Sequence, residues 1–301
     1  MKIASLDIGT NSILMLIAEV EYSNIFPCRE YISIPQLGAD LISTGKISDQ
    51  SLQQAEEVIS NYRKIIEDEH VDVVIANGTE VFRKAKNSAE IINKLSQALG
   101  SEIKVITPEQ ESFLGFTGAI PDDSDWTVVD IGGGSTELIA GNNDSIFSCT
   151  SIPIGSLTLK KQFFKNEIPQ KNEIRKAKEY ITEIINVLIS KFSPNNLLGI
   201  GGTTTTLAQI SLGLNRFVPQ EIDKFIFHYN TNLIQTEKLS KMSPAEIASK
   251  FNIHIKRAEI IYAGALIFLL LQQNIGEADF FVSTKGLRYG AIKEYLKTKD
   301  F

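Results

Sequence analysis

Cysteine is nearly absent: the chain of 301 residues has two, Cys28 and Cys149, far apart and in no metal or redox spacing. That excludes a disulfide framework or a cysteine-ligated metal and points to a reduced, cytoplasmic setting. The three histidines, His70, His228 and His254, are scattered with no recognisable partner in the sequence, which leaves them surface or packing roles. Long apolar runs are missing too. The longest, near Ala263 to Leu271, is far below the ~20 residues that span a bilayer and reads as buried helix. No basic-then-apolar leader opens the chain, because Asp7 interrupts the first apolar stretch, and no membrane association is expected. Basic residues do not dominate: 30 Lys and Arg stand against 36 Asp and Glu, a formal net charge of −6, which argues against a nucleic-acid partner. A local anion site remains open, since backbone N–H groups, a few cations and a bound metal can supply positive potential. Neither a nucleophile elbow, a Walker A lysine motif nor a Cys–His arrangement occurs, so a covalent enzyme mechanism is not indicated.

What is present begins with a repeat. Lys2 to Leu6 is a short apolar strand leading into Asp7-Ile8-Gly9-Thr10-Asn11-Ser12, followed by the apolar run Ile13 to Val20. Trp126 to Val129 leads into Asp130-Ile131-Gly132-Gly133-Gly134-Ser135, followed by Thr136 to Ala140. From Asp7 to Asp130 the offset is 123 residues. A second pair recurs at nearly the same offset: Val71 to Ala76 ends in Asn77-Gly78-Thr79, and Leu197 to Ile200 ends in Gly201-Gly202-Thr203-Thr204. Two unrelated loops at one offset imply duplication.

Each half therefore reads as strand, glycine-rich hairpin, strand, helices, and a further strand with its own glycine turn. Ser48 is placed to cap a helix whose Leu52, Ala55, Ile59, Tyr62 and Ile66 share one face. Asn87, with Glu90 three residues on, suits the start of the next helix. Thr107-Pro108-Glu109-Gln110 supplies a capping threonine, a first-turn proline and a glutamine three positions on. Long helices are expected over Lys171 to Phe192 and Ile255 to Gln273. The polar turn Pro121-Asp122-Asp123-Ser124 marks a boundary, giving domains at 1–122 and 123–301, with the C-terminal helix free to pack back on the first. The fold class is α/β, two similar domains facing each other across a cleft. The apolar second-half helices leave a homodimer face and a core equally open.

Glycine-rich hairpins beside an aspartate suit an enzyme that holds phosphates, because glycine lets backbone N–H groups approach an anion and nearby Thr and Ser hydroxyls add donors. Asp7 and Asp130, each at a strand end, are candidate Mg²⁺ ligands, since hard cations prefer carboxylate oxygens. Glu137 lies two positions from Ser135 and so on the same face of the return strand. The competing reading is that glycines merely make tight turns and aspartates begin them. Four loops at matched positions weigh against it. Arg83 follows Gly78-Thr79-Glu80-Val81-Phe82 where a helix begins, a place from which a guanidinium grips phosphate with two hydrogen bonds, or simply faces water. With Thr107 as N-cap, Glu111 sits at the fourth helical position, where the helix dipole favours its ionised form and suits it to a general base. Glu109 is not excluded on these grounds.

Nearly the whole chain carries a recognisable series: the loop from Asp7 to Ser12, Gly78 to Asn87, Val105 to Glu111, Asp130 to Leu138, Ser151 to Gly155, Gly199 to Thr203, Val282-Ser283 and Gly286-Leu287-Arg288. In this order they resemble the exopolyphosphatase and guanosine pentaphosphate phosphohydrolase family, within the actin, Hsp70 and sugar kinase superfamily. The resemblance implies duplicated actin-like (ribonuclease H-like) domains and release of orthophosphate from the end of a phosphate chain. Glu111 would activate water and Arg83 would hold a phosphate. Asp130 and Glu137, with Asp7, would support Mg²⁺, with Mn²⁺ as a substitute and room for a monovalent cation. Backbone groups of Thr10, Asn11 and Ser12, of Gly133, Gly134 and Ser135, and of Gly202, Thr203 and Thr204 would cradle successive phosphates.

The implied partners are inorganic polyphosphate or guanosine tetra- or pentaphosphate. Four departures bear on substrate preference: Leu14 stands where the family often has Arg or His, Gln36 where Arg is common, and Thr284 and Tyr289 replace the usual Asp and Glu. Longer relatives carry further helical domains, so a two-domain form is expected to prefer short polyphosphate or a nucleotide. A non-catalytic alarmone-binding regulator and a sugar or acetate kinase relative are the other readings; the second is disfavoured because no adenosine-binding motif is found.

Overall fold

In a computed structural model of the chain, which describes residues 1–299 apart from Asn11, Ser23, 190–195 and Lys224, the elements divide into two units: Met1–Gly118 with Gly286–Phe301, and Ala119–Lys285. In the first unit β1 (Lys2–Ile8), β2 (Ile13–Glu21) and β3 (Asn24–Ser33) form an antiparallel meander. Helices α1 (Leu41–Thr44) and α2 (Asp49–Asp68) lead to β4 (Val73–Gly78), α3 (Glu80–Lys84) and α4 (Ser88–Leu99) lead to β5 (Ile103–Val105), and α5 (Pro108–Ala119) follows. The second unit repeats the plan with β6 (Trp126–Ile131), β7 (Thr136–Gly141), β8 (Ile146–Ile152), α6 (Ser156–Phe163), α7 (Lys171–Ile189) and β9 (Leu197–Ile200). It continues through α8 (Gly201–Ser211), α9 (Pro219–Ile222), β10 (Ile226–Phe227), α10 (Tyr229–Leu239), α11 (Pro244–Phe251), α12 (Ile255–Asn274) and β11 (Phe280–Val282). The last helix, α13 (Leu287–Lys297), belongs to the first unit.

Sheet order proves the duplication. The first sheet runs β3-β2-β1-β4-β5; the second runs β10-β11-β9-β6-β7-β8, the same order with β10 added. The registers match as well. Ile3 pairs with Val73 and Thr127 with Leu197, at one separation; Asp7 faces Leu14 as Asp130 faces Glu137. This is the duplicated actin-like architecture that the motif series implies.

One face of the first sheet packs Leu6, Ile8, Met15 and Ile17 against Leu52, Ala55, Ile59, Tyr62 and Ile66 of α2 and Ile91, Leu95 and Leu99 of α4. The expected helical stripe thus forms, each fully buried aliphatic contributing about 1.5–3 kcal/mol. Ser48 caps α2 as expected, its hydroxyl accepting from the Ser51 N–H. Asn87 precedes α4 but does not cap it by its side chain, which exchanges two hydrogen bonds with the Ile47 backbone instead. The opposite face packs Ile3, Leu16, Ala18 and Val20 against Tyr289, Ile292 and Leu296 of α13. In the second unit α12 is core along nearly its whole length, from Ala258 to Gln272. α7 is observed to Ile189, and the end expected at Phe192 lies outside the described residues.

Helices α5 and α13 cross closely. A Cβ on Gly118 would collide with the Gly286 backbone, and one on Gly290 with the Leu114 carbonyl. Lys293 Nζ donates to the Thr117 carbonyl at 2.6 Å across the same contact. Gly115, one turn away, has nothing within 4 Å of its own missing Cβ. Gly290→Ala should therefore destabilise the protein by about 1–3 kcal/mol through overpacking, whereas Gly115→Ala should stabilise it by up to ~1 kcal/mol from helix propensity. Thermal melts of the two variants check this; equal effects would show that the crossing yields freely.

Candidate active site

The first unit gathers three of the expected residues at the ends of β1, β4 and β5. Its hairpin closes by a bond from the Gly9 N–H to the Ser12 carbonyl at 2.9 Å, and the Gly38 N–H donates to the Thr10 carbonyl at 2.8 Å. Gly38 lies so close on the Thr10 side chain that no Cβ would fit. Asn11 lies outside the described residues. Asp7 stands between Leu14 on β2 and Asn77 on β4. Burial pushes its carboxyl up to about 6; the negative charge of Glu111 adds to this, and Arg288 opposes it.

Arg83, in the last turn of α3, donates to the Ile106 carbonyl at 2.7 Å and to Glu111 Oε2 at 2.8 Å. Glu111 is presented by the start of α5, where Thr107 and Gln110 form the expected reciprocal cap: the Gln110 N–H donates to Thr107 Oγ1 and the Thr107 N–H to Gln110 Oε1. The same cap separates the two candidate acids. Glu109 is exposed, its carboxyl held below the usual range by bonds with its own backbone and the Thr107 hydroxyl. Glu111 is the one of the two that hydrogen-bonds Arg83 among the described residues, and its charge bears on Asp7.

In the second unit the hairpin closes in the same way, from the Gly132 N–H to the Ser135 carbonyl at 2.9 Å. The first N–H groups of α6 are occupied by this loop, Ser156 bonding the Gly132 carbonyl and Leu157 and Thr158 that of Gly133. Among the described residues the N–H groups of Gly133, Gly134 and Ser135 have no backbone acceptor, so they remain for an anion. The shared face foreseen for Ser135 and Glu137 is realised: Ser135 Oγ donates to Glu137 Oε1 at 2.5 Å and Ser151 Oγ to the same atom at 3.0 Å. Asp130, directly opposite Glu137, is partly buried against Gly201, whose φ of 77° and lack of a Cβ let the chain pass its carboxyl. Burial and then Glu137 push Asp130 up to about 6, against the pull of Arg257.

The threonine hydroxyls after Gly202 are turned to backbone carbonyls. Thr203 Oγ1 donates to the Ile131 carbonyl at 2.7 Å, Thr204 to Ile200 at 2.5 Å, Thr205 to Gly201 at 2.8 Å and Thr206 to Gly202 at 2.6 Å. Side chains in a helix interior turn readily to the preceding turn's carbonyls. What stays open at Gly202, Thr203 and Thr204 is backbone: α8 starts there with no side-chain cap.

Two arginines had no role in the motif reading: Arg257 lay outside the series, and Arg288 closed it without one. Arg257, in the first turn of α12, lies against Gly202 so closely that a Cβ there would strike its guanidinium. Burial pulls its charge down and Asp130 holds it up. The available signal was an arginine opening a helix that is otherwise apolar. Arg288, in the first turn of α13, donates from Nη2 to Glu30 at 3.0 Å, while its buried Nη1 has no partner among the described residues. The histidines stay outside: His228 pairs with Asp279 at 2.7 Å, a partner invisible in the sequence, and the His254 ring accepts from the Lys256 N–H.

The three expected metal ligands fall in different units, Asp7 in the first, Asp130 and Glu137 in the second, and no cluster of three metal-binding side chains occurs among the described residues. Asp130 with Glu137 fits magnesium nonetheless, because that ion takes one or two carboxylates and fills its other positions with water and substrate oxygens. Glu137 Oε2 carries neither serine hydroxyl and is left for it.

Comparison with known proteins gives one consistent result. A model of the Ppx/GppA phosphatase family matches residues 16–299. The chain is 29% identical to the bifunctional 3-dehydroquinate synthase/phosphatase of Fusobacterium nucleatum, over 98% of this chain but 47% of that protein, so it spans about half of that relative's length. It is 26% identical to exopolyphosphatase 2 of Mycobacterium tuberculosis over 92% of this chain and 91% of that one. Among solved structures, the type II variant of the Aquifex aeolicus Ppx/GppA phosphatase superposes with a TM-score of 0.88 at 29% identity, over 98% and 99% of the two chains.

The raised aspartate gives a stability prediction. A carboxyl whose folded value is near 6 binds its proton more tightly than in the unfolded chain, so its contribution is present below the ordinary carboxylate range and lost as pH rises through about 6. In chelator, the wild type should lose melting temperature between about pH 4 and pH 6.5, and Asp130→Asn should flatten that slope and melt higher than wild type at the upper end. Parallel pH profiles for the two proteins would contradict this.

Proposed function

The chain belongs to the Ppx/GppA phosphatase family, hydrolases of phosphoanhydride bonds, and from that premise we propose that it removes the terminal phosphate of short inorganic polyphosphate. The observation that carries the reading is the Arg83–Glu111 pair, fixed at the start of α5 beside the partly buried Asp7. Glu111 accepts a proton from water as the water oxygen bonds to the terminal phosphorus. The bridging P–O bond breaks, and the electron pair leaves with the shortened chain. Two of Arg83's five donors are occupied by Ile106 and Glu111, which leaves others for an oxygen of the reacting group. It therefore orients the base and holds the phosphate together. Such a reaction depends mainly on positioning and neutralisation, because the transferred group carries its charge on equatorial oxygens.

Asp130 and Glu137 are the residues that would hold magnesium, with manganese as a substitute. Bound there, the ion neutralises phosphate oxygens. In the second unit the open N–H groups of Gly133 to Ser135 and the start of α8, with Arg257 beside Gly202, are groups suited to phosphate oxygens. A cytoplasmic setting is part of the proposal, supported by two free thiols at Cys28 and Cys149 and by the lack of any helix, among the described residues, long and apolar enough to cross a membrane.

The test is phosphate release, with and without Mg²⁺, from tripolyphosphate, long-chain polyphosphate and guanosine pentaphosphate. Release is expected to require the metal and to fall about 10²–10⁴-fold in Glu111→Gln. Arg257→Met should raise KM more than it lowers kcat, because its guanidinium is assigned to binding. Binding of all three anions without release from any would make the protein a non-catalytic sensor.

A further inference from the structure

Helices α5 and α13 touch at Gly118 and Gly290 and leave a space farther along, toward the start of α5 and the end of α13. That space is a cavity of about 260 Å³, lined by Ile75 and Asn77 of β4, Phe113 and Leu114 of α5, and Ala291 and Tyr295 of α13. All of these belong to the first unit. The walls are mostly aliphatic and aromatic, and an apolar cavity of about 150 Å³ already accepts a benzene ring. The charged side chains that line it, Lys104 and Glu294, are exposed to solvent, so an ionised ligand would meet no buried counter-charge. One lining group is both polar and deep. Asn77 is 5% exposed, and its Nδ2 has no hydrogen-bond partner among the described residues. A buried carboxamide left unpaired is costly, and a ligand hydroxyl, which donates and accepts, can pair with either end of it.

The cavity also reaches the supports of the three active groups. Asn77 is the in-register neighbour of Asp7. Ile106 lines the cavity, and its carbonyl accepts from Arg83. Gln110 lines it as well and, with Thr107, closes the cap that starts the helix bearing Glu111. An occupant therefore touches all three supports, while Asp7, Arg83 and Glu111 themselves do not line the cavity.

We propose that this cavity is a regulatory site for a small monocyclic phenol, its ring among the apolar side chains and its hydroxyl on Asn77. Filling the space braces the Ile106 carbonyl and the α5 cap, so the phenol and the phosphate substrate strengthen each other's binding. The regulation rests on the phosphohydrolase reading above; the binding of the phenol does not.

The experiment uses p-cresol and p-xylene, probes of nearly one shape that differ by the hydroxyl. Their dissociation constants are measured by chemical-shift titration of wild type, Asn77→Leu and Thr298→Trp, the last placing a bulky ring where Thr298 lines the cavity. Relative to wild type, Asn77→Leu should shift the ratio of the two constants about fivefold in favour of p-xylene, the effect of losing one buried hydrogen bond. Thr298→Trp should weaken both probes together and leave phosphate release without ligand unchanged. In a Glu111→Gln background, saturating tripolyphosphate should tighten p-cresol about fivefold, and p-cresol should tighten tripolyphosphate by the same factor. Failure of wild type to bind p-cresol, or an unchanged ratio in a folded Asn77→Leu, overturns the site. Should Asn77→Leu not fold, undiminished binding in Thr298→Trp overturns it instead. Independent binding of p-cresol and tripolyphosphate overturns the regulation. A wild type that binds p-cresol and releases no phosphate from any substrate would refute the phosphohydrolase reading and leave the site standing.

Discussion

A carboxyl buried at the end of the first strand is the constraint around which each unit is arranged. Burying an ionised carboxylate is costly unless charge and hydrogen bonds are brought to it. Both units answer in the same way. Asp7 and Asp130 each stand at about 6, raised by burial and by a second carboxylate, and each is opposed by one arginine from the first turn of a later helix. Arg288 opens α13 and Arg257 opens α12, so the elements added after the repeated strands supply the compensating charge. The match is not one of sequence position. It is a shared electrostatic requirement met from different helices, which explains why these arginines do not stand out in the repeat.

Close approach of backbones follows from the same arrangement. Gly201 has the left-handed backbone and the missing Cβ needed to pass Asp130, and it accounts for the second loop pair recurring one residue later than the strands. The strand registers repeat at the offset separating Asp7 from Asp130, and Thr203 does for Ile131 what Thr79 does for Ile8: each hydroxyl donates to that carbonyl, at 2.7 Å and 3.5 Å. The extra residue in the second loop is thus tied to the close passage of Gly201 over the Asp130 carboxyl.

Much of this was legible from local pattern. The two hairpins, the α2 stripe, the Thr107 cap and the shared face of Ser135 and Glu137 depend on periods and caps that a few neighbouring residues determine. What escaped depends on partners far along the chain. Asn87 looks like a helix start and instead exchanges two bonds with the backbone of Ile47, in the loop before α2, forty residues away. The threonines after Gly202 look like phosphate donors, yet their hydroxyls find carbonyls of the preceding turn. The partner of Arg83 was legible only as two separate candidates, since nothing local says that a residue ending α3 and one opening α5 meet over the Ile106 carbonyl.

Duplication makes the differences between the halves as informative as their likeness. Equivalent positions began with the same backbone, so a departure at one of them, where packing does not require it, marks a division of labour. Leu14 and Glu137 are such a pair: both face an aspartate at about 6, in identical register. The second unit keeps a carboxylate and two serines there, a donor set suited to a hard cation. The first unit removes the charge beside its aspartate and places its acid elsewhere, on α5, where Arg83 fixes it. A second carboxylate on the Asp7 row would have repelled both Asp7 and the incoming anion without a cation to offset it. Moving the acid to the start of α5, where Arg83 fixes it, keeps a proton acceptor in the unit while leaving the strand row free of a second carboxylate.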